Sequence, residues 1–208
     1  MNNRWNHFIY KCWSPIYDYF FESGTFRKAR ETIFKDIHLE KGSKVLFVGV
    51  GTGADLPYFL NKKYEITAID YSNEMLQVAK SKYNDNSLTF MVMDAQNMNF
   101  PNESIDFVVA SLILSVVADP QRTMMEMSRV LKKDARFLIF DKFEKRDSNF
   151  LLQRILRPVI KIMGTDIGLD FYDIFTEVED HCIVIEDKNI MMGGVYRKIM
   201  GMKKEDKK

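Results

Sequence analysis

The sequence has few of the residues that bind metals or form disulfides. Its 208 residues include only two cysteines, Cys12 and Cys182, and three histidines, and none of these is spaced as metal ligands are. Free thiols are typical of a reducing compartment. We therefore expect a cytoplasmic protein without a metal centre.

The sequence also lacks a charge excess and a long apolar run. Thirty Lys and Arg residues are balanced by 29 Asp and Glu, so the net charge is +1 and there is no basic excess typical of nucleic-acid binders. No apolar run approaches the roughly 20 residues that span a bilayer, and no charged-then-apolar leader opens the sequence. We expect no nucleic-acid partner, and membrane contact only at a membrane surface.

The length and the 46% hydrophobic content suit one compact domain with a full core. We predict a single domain over residues 1–208. It would comprise a helical lid at 1–40, a core at 41–200 and a basic tail at 201–208.

Three glycines follow an apolar segment in VLFVGVGTGADL, residues 45–56. Gly49, Gly51 and Gly53 have no Cβ, so a bulky ligand can approach the main chain there. A helix predicted at about 54–61 would point its partly positive N-terminus at that ligand. The pattern also fits the dinucleotide fingerprint G-x-G-x-x-A, so it indicates a nucleotide-like cofactor without choosing between a nicotinamide and another adenosine compound.

Two acidic residues follow the next strand patterns. EITAID at 65–70 is typical of a buried strand, and it ends in Asp70 at the spacing from which a carboxylate reaches ribose hydroxyls. LTFMVM at 88–93 predicts a third strand, followed by Asp94 and Ala95, where an acceptor could meet an adenine amino group. Dinucleotide enzymes do not need that third acid. For Asp70, which precedes Ser72 at a helix start, capping is the competing role.

Strand and helix patterns alternate along the chain, which is typical of a doubly wound parallel sheet. The strands are predicted near 44–49, 65–70, 88–93, 105–111 and 136–141, and the helices near 54–61, 73–83 and 121–132. Two last strands near 181–187 and 193–200, joined by Gly193 and Gly194, predict an antiparallel hairpin. The predicted fold class is α/β: a Rossmann-like, seven-stranded, mostly parallel sheet with a C-terminal antiparallel hairpin, helices on both faces and an N-terminal helical lid.

Five further segments follow one another along the chain: GTGADLPYF at 51–59, DAQNMNFP at 94–101, SIDFVV at 104–109, SVVADP at 115–120 and EMSRVL at 126–131. They resemble class I S-adenosylmethionine methyltransferases, and among them the soluble bacterial phosphatidylethanolamine N-methyltransferases. Ubiquinone and menaquinone C-methyltransferases are more distant relatives. The predicted closing hairpin is a feature of this family that nicotinamide-binding folds lack.

The resemblance implies S-adenosylmethionine as the cofactor and assigns a place to each candidate residue. Gly49, Gly51 and Gly53 would lie at its methionine and ribose, and Asp70 would bind the ribose hydroxyls with Tyr71 as a neighbouring contact. Asp94 and Ala95 would meet the adenine, and Ala110 and Ser111 would border the methyl group.

Two positions depart from the family pattern. Most relatives have an acid two positions before the first glycine, whereas this chain has Phe47, so one polar contact near the cofactor is absent or supplied elsewhere. The usual Pro-Gly-Gly turn before the fifth strand is replaced by KKDA at 132–135, so Asp134 or a looser loop must make the connection.

Three segments could contact a membrane. Residues 5–21 contain eight aromatics, which favours either a helix packed over the sheet or a lid that touches membrane or an apolar substrate. Residues 149–163 have apolar positions at helical spacing, with Arg154, Arg157 and Lys161 on another face, although an ordinary solvated face has the same pattern. Residues 197–208 carry six Lys and Arg, as a lipid-binding or a merely solubilising tail would.

The resemblance favours methyl transfer to an amphiphilic acceptor such as a phospholipid amine. Such an amine is protonated at neutral pH, so a proton acceptor would help, and Tyr17, Asp18 and Asp141 are the candidates. Helix packing and capping compete for Tyr17 and Asp18, and a bond to Lys142 or Lys145 competes for Asp141. The alternatives are a small-molecule or quinone-precursor C- or O-methyltransferase, a nicotinamide-binding reductase, and a protein that binds the cofactor without turnover.

Overall fold

The computed structural model describes residues 24–83, 85–144 and 168–205. Within them lies one seven-stranded sheet. Its strands are β1 (Lys44–Val48), β2 (Glu65–Asp70), β3 (Leu88–Val92), β4 (Ile105–Ser111), β5 (Leu131–Lys142), β6 (Cys182–Met191) and β7 (Tyr196–Lys203).

The strand order across the sheet is β3-β2-β1-β4-β5-β7-β6. Strands β1 to β5 run parallel, whereas β7 pairs antiparallel with both β5 and β6. The predicted mostly parallel sheet and its C-terminal hairpin are therefore confirmed. The hairpin turn lies at residues 192–195, and both of its glycines have a positive φ, 62° at Gly193 and 94° at Gly194. Glycine takes this left-handed geometry at little cost.

The described helices are α1 (Gly24–Phe34), α2 (Asn73–Lys82), α3 (Pro120–Val130) and the single turn α4 (Phe171–Phe175). Side chains cap the last three at their N-termini. Ser72 accepts from Met75 N in α2, Asp119 from Arg122 N in α3, and Asp170 from Tyr172 N in α4. Each cap satisfies a main-chain donor that the first helical turn leaves unpaired.

Helices cover both faces of the sheet, as predicted. Alternate residues of the central strands point to opposite sides, so Val108 and Ile139 pack under α3 and α4, whereas Phe107 and Leu138 pack under α1. The α1 face is rich in aromatic contacts. Phe47 belongs to it: its ring meets Phe59 edge to face, with centroids 5.0 Å apart. Position 47 is thus an apolar core position, fully buried, and supplies no polar contact to the glycine loop.

The predicted helix at 54–61 is wrong. Only a 3-10 turn forms there, at Leu56–Tyr58, and the chain leaves helical geometry at Asn61, whose φ is +62°. Three residues carry almost none of the aligned peptide dipoles that make a helix N-terminus attractive to anions. The dipole contribution expected at the glycine loop is therefore absent.

Three further details concern the strands and their turns. β3 is an edge strand, so Met91 and Val92 are exposed. The turn before the main part of β5 is made by Asp134, at φ +59°, which is one of the two options that the sequence left open. β7 continues to Lys203, so it includes the first three residues of the tail predicted at 201–208.

Three basic residues of β7 form ion pairs within the fold. Arg197 pairs with Asp187, Lys198 with Glu186 and Lys203 with Glu103. These cations are therefore poor candidates for lipid contact. Residues 5–21 and 149–163 lie outside the described residues. In the part of the chain that the structure describes, no helix is long and apolar enough to cross a membrane.

Candidate functional site

The glycine loop lies where a doubly wound sheet places its ligands, at the carboxyl ends of the central strands. It follows β1 and is bonded to β2, since Val50 N donates to Ile69 O at 3.0 Å. Gly51 has a φ of +56°, and a Cβ built there would meet no atom within 4 Å. Open space therefore adjoins the main chain at Gly51, as a cofactor requires.

The other two glycines serve packing within the protein. A Cβ at Gly49 would lie 2.5 Å from Cδ1 of Ile113, and one at Gly53 would lie 2.7 Å from the ring of Tyr83. Real Cβ atoms do not approach other atoms so closely. The three glycines thus divide into one that faces open space and two that admit a neighbouring side chain.

Asp70, at the end of β2, holds the loop through both carboxylate oxygens. Oδ2 accepts from Gly51 N at 2.8 Å, and Oδ1 accepts from Ser72 N at 2.9 Å. Burial raises the pKa of Asp70 above its usual value, although these main-chain donors act in the opposite direction. The competing capping role belongs to Ser72, which caps α2. Each carboxylate oxygen has a second lone pair, so Asp70 can also accept from a ribose hydroxyl.

Tyr71 and Asp94 flank the ends of β2 and β3. The Tyr71 side chain is about half exposed, at 48%. Asp94 accepts from Gln96 through both the main-chain N at 2.9 Å and the side-chain amide at 2.8 Å. The Gln96 amide oxygen in turn accepts from Asp119 N at the start of α3. Gln96 thus fixes the orientation of Asp94, while Ala95 beside it is buried.

An ion pair from α3 fixes the loop that follows Asp94. The Glu126 carboxylate accepts from Met98 N at 2.6 Å and from Arg129, whose guanidinium also donates to Met98 O and Phe100 O. The hydrogen bond from Arg129 holds the pKa of Glu126 below its usual value. These contacts tie the segment that carries the adenine candidates to a helix of the core.

The end of β4 contains an unpaired hydroxyl. Among the described residues, Ser111 Oγ is buried and has no hydrogen-bond partner. Ala110, by contrast, is fully buried in the core, and its place beside the methyl group stays a prediction. The next residue, Leu112, has a φ of +56°, a conformation that bulky side chains rarely adopt.

Asp141 is fully buried at the end of β5. Its carboxylate accepts from Ser115 N at 3.1 Å and from Lys142 N at 2.8 Å, so it ties the turn after β4 to β5. Burial raises the pKa of Asp141. Burial, together with the nearby Asp141 charge, raises the pKa of Tyr196 to about 12. The bond to Lys142 expected from the sequence exists, but through its main-chain nitrogen.

Two candidate residues, Tyr17 and Asp18, lie outside the described residues. The structure brings the others together: the glycine loop, Asp70 and Tyr71, Asp94 and Ala95, and the ends of β4 and β5 form one edge of the sheet. Sequence reasoning missed Gln96, although it stands inside one of the segments that carried the resemblance.

Comparison with known proteins defines the class. Residues 46–139 match the family model described as a methyltransferase domain. The phosphatidylethanolamine N-methyltransferase of Cereibacter sphaeroides is 38% identical over 141 residues, which cover 65% of this chain and 67% of that protein. The chain therefore belongs to the class I S-adenosylmethionine-dependent methyltransferases, and S-adenosylmethionine is its cofactor.

Other relatives agree on the class but differ in their acceptor. The demethylmenaquinone methyltransferase of Staphylococcus haemolyticus is 38% identical over 108 residues, covering 50% of this chain and 45% of that protein. The chain spans less than half the length of that relative. Among solved structures, an S-adenosylmethionine-dependent methyltransferase from Thermotoga maritima superposes with a TM-score of 0.71 at 20% identity, covering 96% of this chain and 100% of the other. That likeness supports the fold. The match to the methyltransferase family excludes a nicotinamide-binding reductase as the class.

The residues present fit the cofactor. Gly51 adjoins open space, Asp70 offers carboxylate lone pairs beside it, and Ser111 has a buried hydroxyl without a protein partner. All three lie at the same edge of the sheet, around the ends of β1, β2 and β4.

Proposed function

We propose that this methyltransferase acts on the amine headgroup of a phospholipid. The supporting observation is the likeness to the phosphatidylethanolamine N-methyltransferase of Cereibacter sphaeroides, which extends over 141 residues of this chain at 38% identity. The likeness to the demethylmenaquinone methyltransferase has the same identity but ends after 108 residues.

We propose one cofactor-binding set, taken from the sequence and refined by the geometry. Direct contacts to the cofactor would come from the main chain of Gly51 and from the side chains of Asp70, Tyr71, Asp94 and Ser111. The other members of the set would shape the site or contribute main-chain atoms: Gly49, Gly53, Ala95 and Ala110. When bound, the cofactor supplies an activated methyl group, so the protein has mainly to align the acceptor with it and exclude water.

The acceptor amine must lose a proton before it can attack. An amine with a pKa near 10.4, like that of lysine, costs on the order of 4 to 5 kcal/mol to deprotonate at pH 7. Tyr17 and Asp18 remain proposed acceptors of this proton. Asp141 is fully buried, and both of its carboxylate oxygens accept hydrogen bonds from the main chain. We therefore propose that it acts by holding the turn from Ser111 to Ser115. That Asp141 accepts the proton directly stays a prediction.

We propose peripheral membrane contact through residues 5–21 and 149–163, on the sequence patterns alone. Flotation with anionic phospholipid vesicles tests this point: the protein should rise with the vesicles at low salt and less so at high salt, because surface charge attraction is screened. Protein that stays at the bottom of the gradient in both conditions would contradict membrane contact.

Radiolabelled S-adenosylmethionine tests the acceptor. With vesicles of phosphatidylethanolamine, we expect label in the lipid phase, and vesicles of phosphatidylcholine provide the matched control because their headgroup amine is already fully methylated. Label found only in the water-soluble fraction would refute a lipid acceptor.

A quinone precursor is the second candidate, favoured by the likeness to the demethylmenaquinone methyltransferase. The same assay with a demethylated naphthoquinone, kept in its reduced quinol form in detergent, separates the two, because only the quinol has an electron-rich ring carbon that can attack the methyl group. Transfer to the quinol with none to phosphatidylethanolamine would establish this alternative.

A further inference from the structure

The glycine loop is not followed by a regular helix, so other contacts must fix its position. Only the 3-10 turn Leu56–Tyr58 follows it, and the family's usual acid on β1 is replaced by the buried Phe47. Asp70 fixes the middle of the loop by accepting from Gly51 N. The end of the loop, after Gly53, must be fixed by other residues.

A buried ion pair lies at that end of the loop. Nε of Arg30, in the middle of α1, donates to Oδ1 of Asp55 at 2.5 Å, and the two side chains are only 6% and 11% exposed. Asp55 stands two residues after Gly53, where the loop turns into the 3-10 segment. The next residue, Leu56, donates its main-chain N–H to Gly53 O. Holding Asp55 in place therefore also restrains the end of the glycine loop.

Arg30 is itself held firmly. α1 packs through Phe26, Ile33 and Phe34 on the sheet, and the Arg30 guanidinium lies 6.0 Å from the centroid of the Phe26 ring. A buried ion pair is weak support for stability, because desolvation offsets much of the attraction. Its directional hydrogen bond can nevertheless fix the two segments in one arrangement, as a pair of apolar side chains would not.

We infer that Arg30 is a positioning residue for the cofactor, acting through Asp55 on the glycine loop. This inference rests on the proposed cofactor site. Through this pair, α1 contributes to cofactor affinity without touching the cofactor.

The test separates positioning from stability. Arg30→Met combined with Asp55→Leu removes the charges together and leaves no unpaired buried ion, so the urea midpoint should stay near that of the wild type. The dissociation constant for S-adenosylhomocysteine, measured by calorimetry, should rise about tenfold, equivalent to about 1.4 kcal/mol. Arg30→Lys retains the cation without the guanidinium geometry, so it should bind more weakly than the wild type and more tightly than the double variant. If the double variant does not fold, this single variant carries the test.

Lys132→Met is the matched control. Lys132 pairs with Asp106 at 2.6 Å at the opposite end of the sheet, and both side chains are partly exposed, so its loss should lower the urea midpoint slightly at most and leave the dissociation constant unchanged. A folded double variant, or Arg30→Lys, that binds as tightly as the wild type would overturn the positioning role. Absence of binding by the wild type would instead overturn the cofactor site.

Discussion

Gly51→Ala separates a glycine needed for a ligand from one needed only for the fold. At φ +56° an alanine costs roughly 1 to 2 kcal/mol in left-handed strain. Alanine also lowers the conformational entropy of the unfolded chain, which stabilises the folded protein by roughly 0.4 to 1 kcal/mol. No protein atom lies within 4 Å of the new Cβ, so we expect a net loss of only about 1 kcal/mol in the free energy of unfolding.

The effect on binding should be larger. The added methyl occupies the space beside the loop that we assign to the cofactor, and overpacking of this kind costs roughly 1 to 3 kcal/mol. The dissociation constant for S-adenosylhomocysteine should therefore rise about 10- to 100-fold in calorimetry.

Gly42→Ala provides the matched control for this prediction. Gly42 has a φ of +84°, has open space around its Cβ position, and precedes β1 at the opposite end of the strand. It should lose similar stability in urea and bind as the wild type does. Equal weakening of binding in both variants, or unchanged binding in Gly51→Ala, would refute the assignment of this space to the cofactor.

Three further variants test the remaining contacts. Asp70→Asn leaves one of its two main-chain donors unmatched and removes a charged acceptor, so cofactor affinity should fall about 10- to 100-fold in calorimetry; unchanged affinity would contradict the site. Glu126→Gln weakens the bonds to Met98 N and Arg129, and we expect a loss of about 1 to 2 kcal/mol in urea unfolding at pH 7. Because the pKa of Glu126 is lowered in the fold, this difference should persist above the usual pKa of glutamate and disappear as the pH falls through the lowered value. The pKa of Asp141 is higher in the folded protein than in the unfolded chain. The wild type should therefore lose stability as the pH rises from the pKa of Asp141 in the unfolded chain through its pKa in the folded protein, and Asp141→Asn should not show this decline. If Asp141 positions the turn, the variant should lower kcat without shifting its pH profile; a shifted profile would indicate proton transfer.

The sheet could be predicted from the sequence because its signals are local. Apolar runs, glycine turns and strand-end acids recur at the spacing of alternating strands and helices, and the hairpin is marked by Gly193 and Gly194. The same local signals misled at residues 54–61, where helical spacing is present but the chain turns at Asn61. Local propensity is a weak prior that tertiary context overrides.

The candidate site was predictable as a set of residues and not as a set of contacts. The order of Gly51, Asp70 and Asp94 along the chain indicates the cofactor, since parallel strands bring their carboxyl ends to one edge. Which partner each atom finds depends on packing between distant segments: Ile113 against Gly49, Asp141 on Ser115 N, and Arg30 on Asp55. The sequence by itself determined the class of fold and cofactor through residues close together in the chain. Only the tertiary structure decided how the glycine loop is held, because its supports come from segments far apart in sequence.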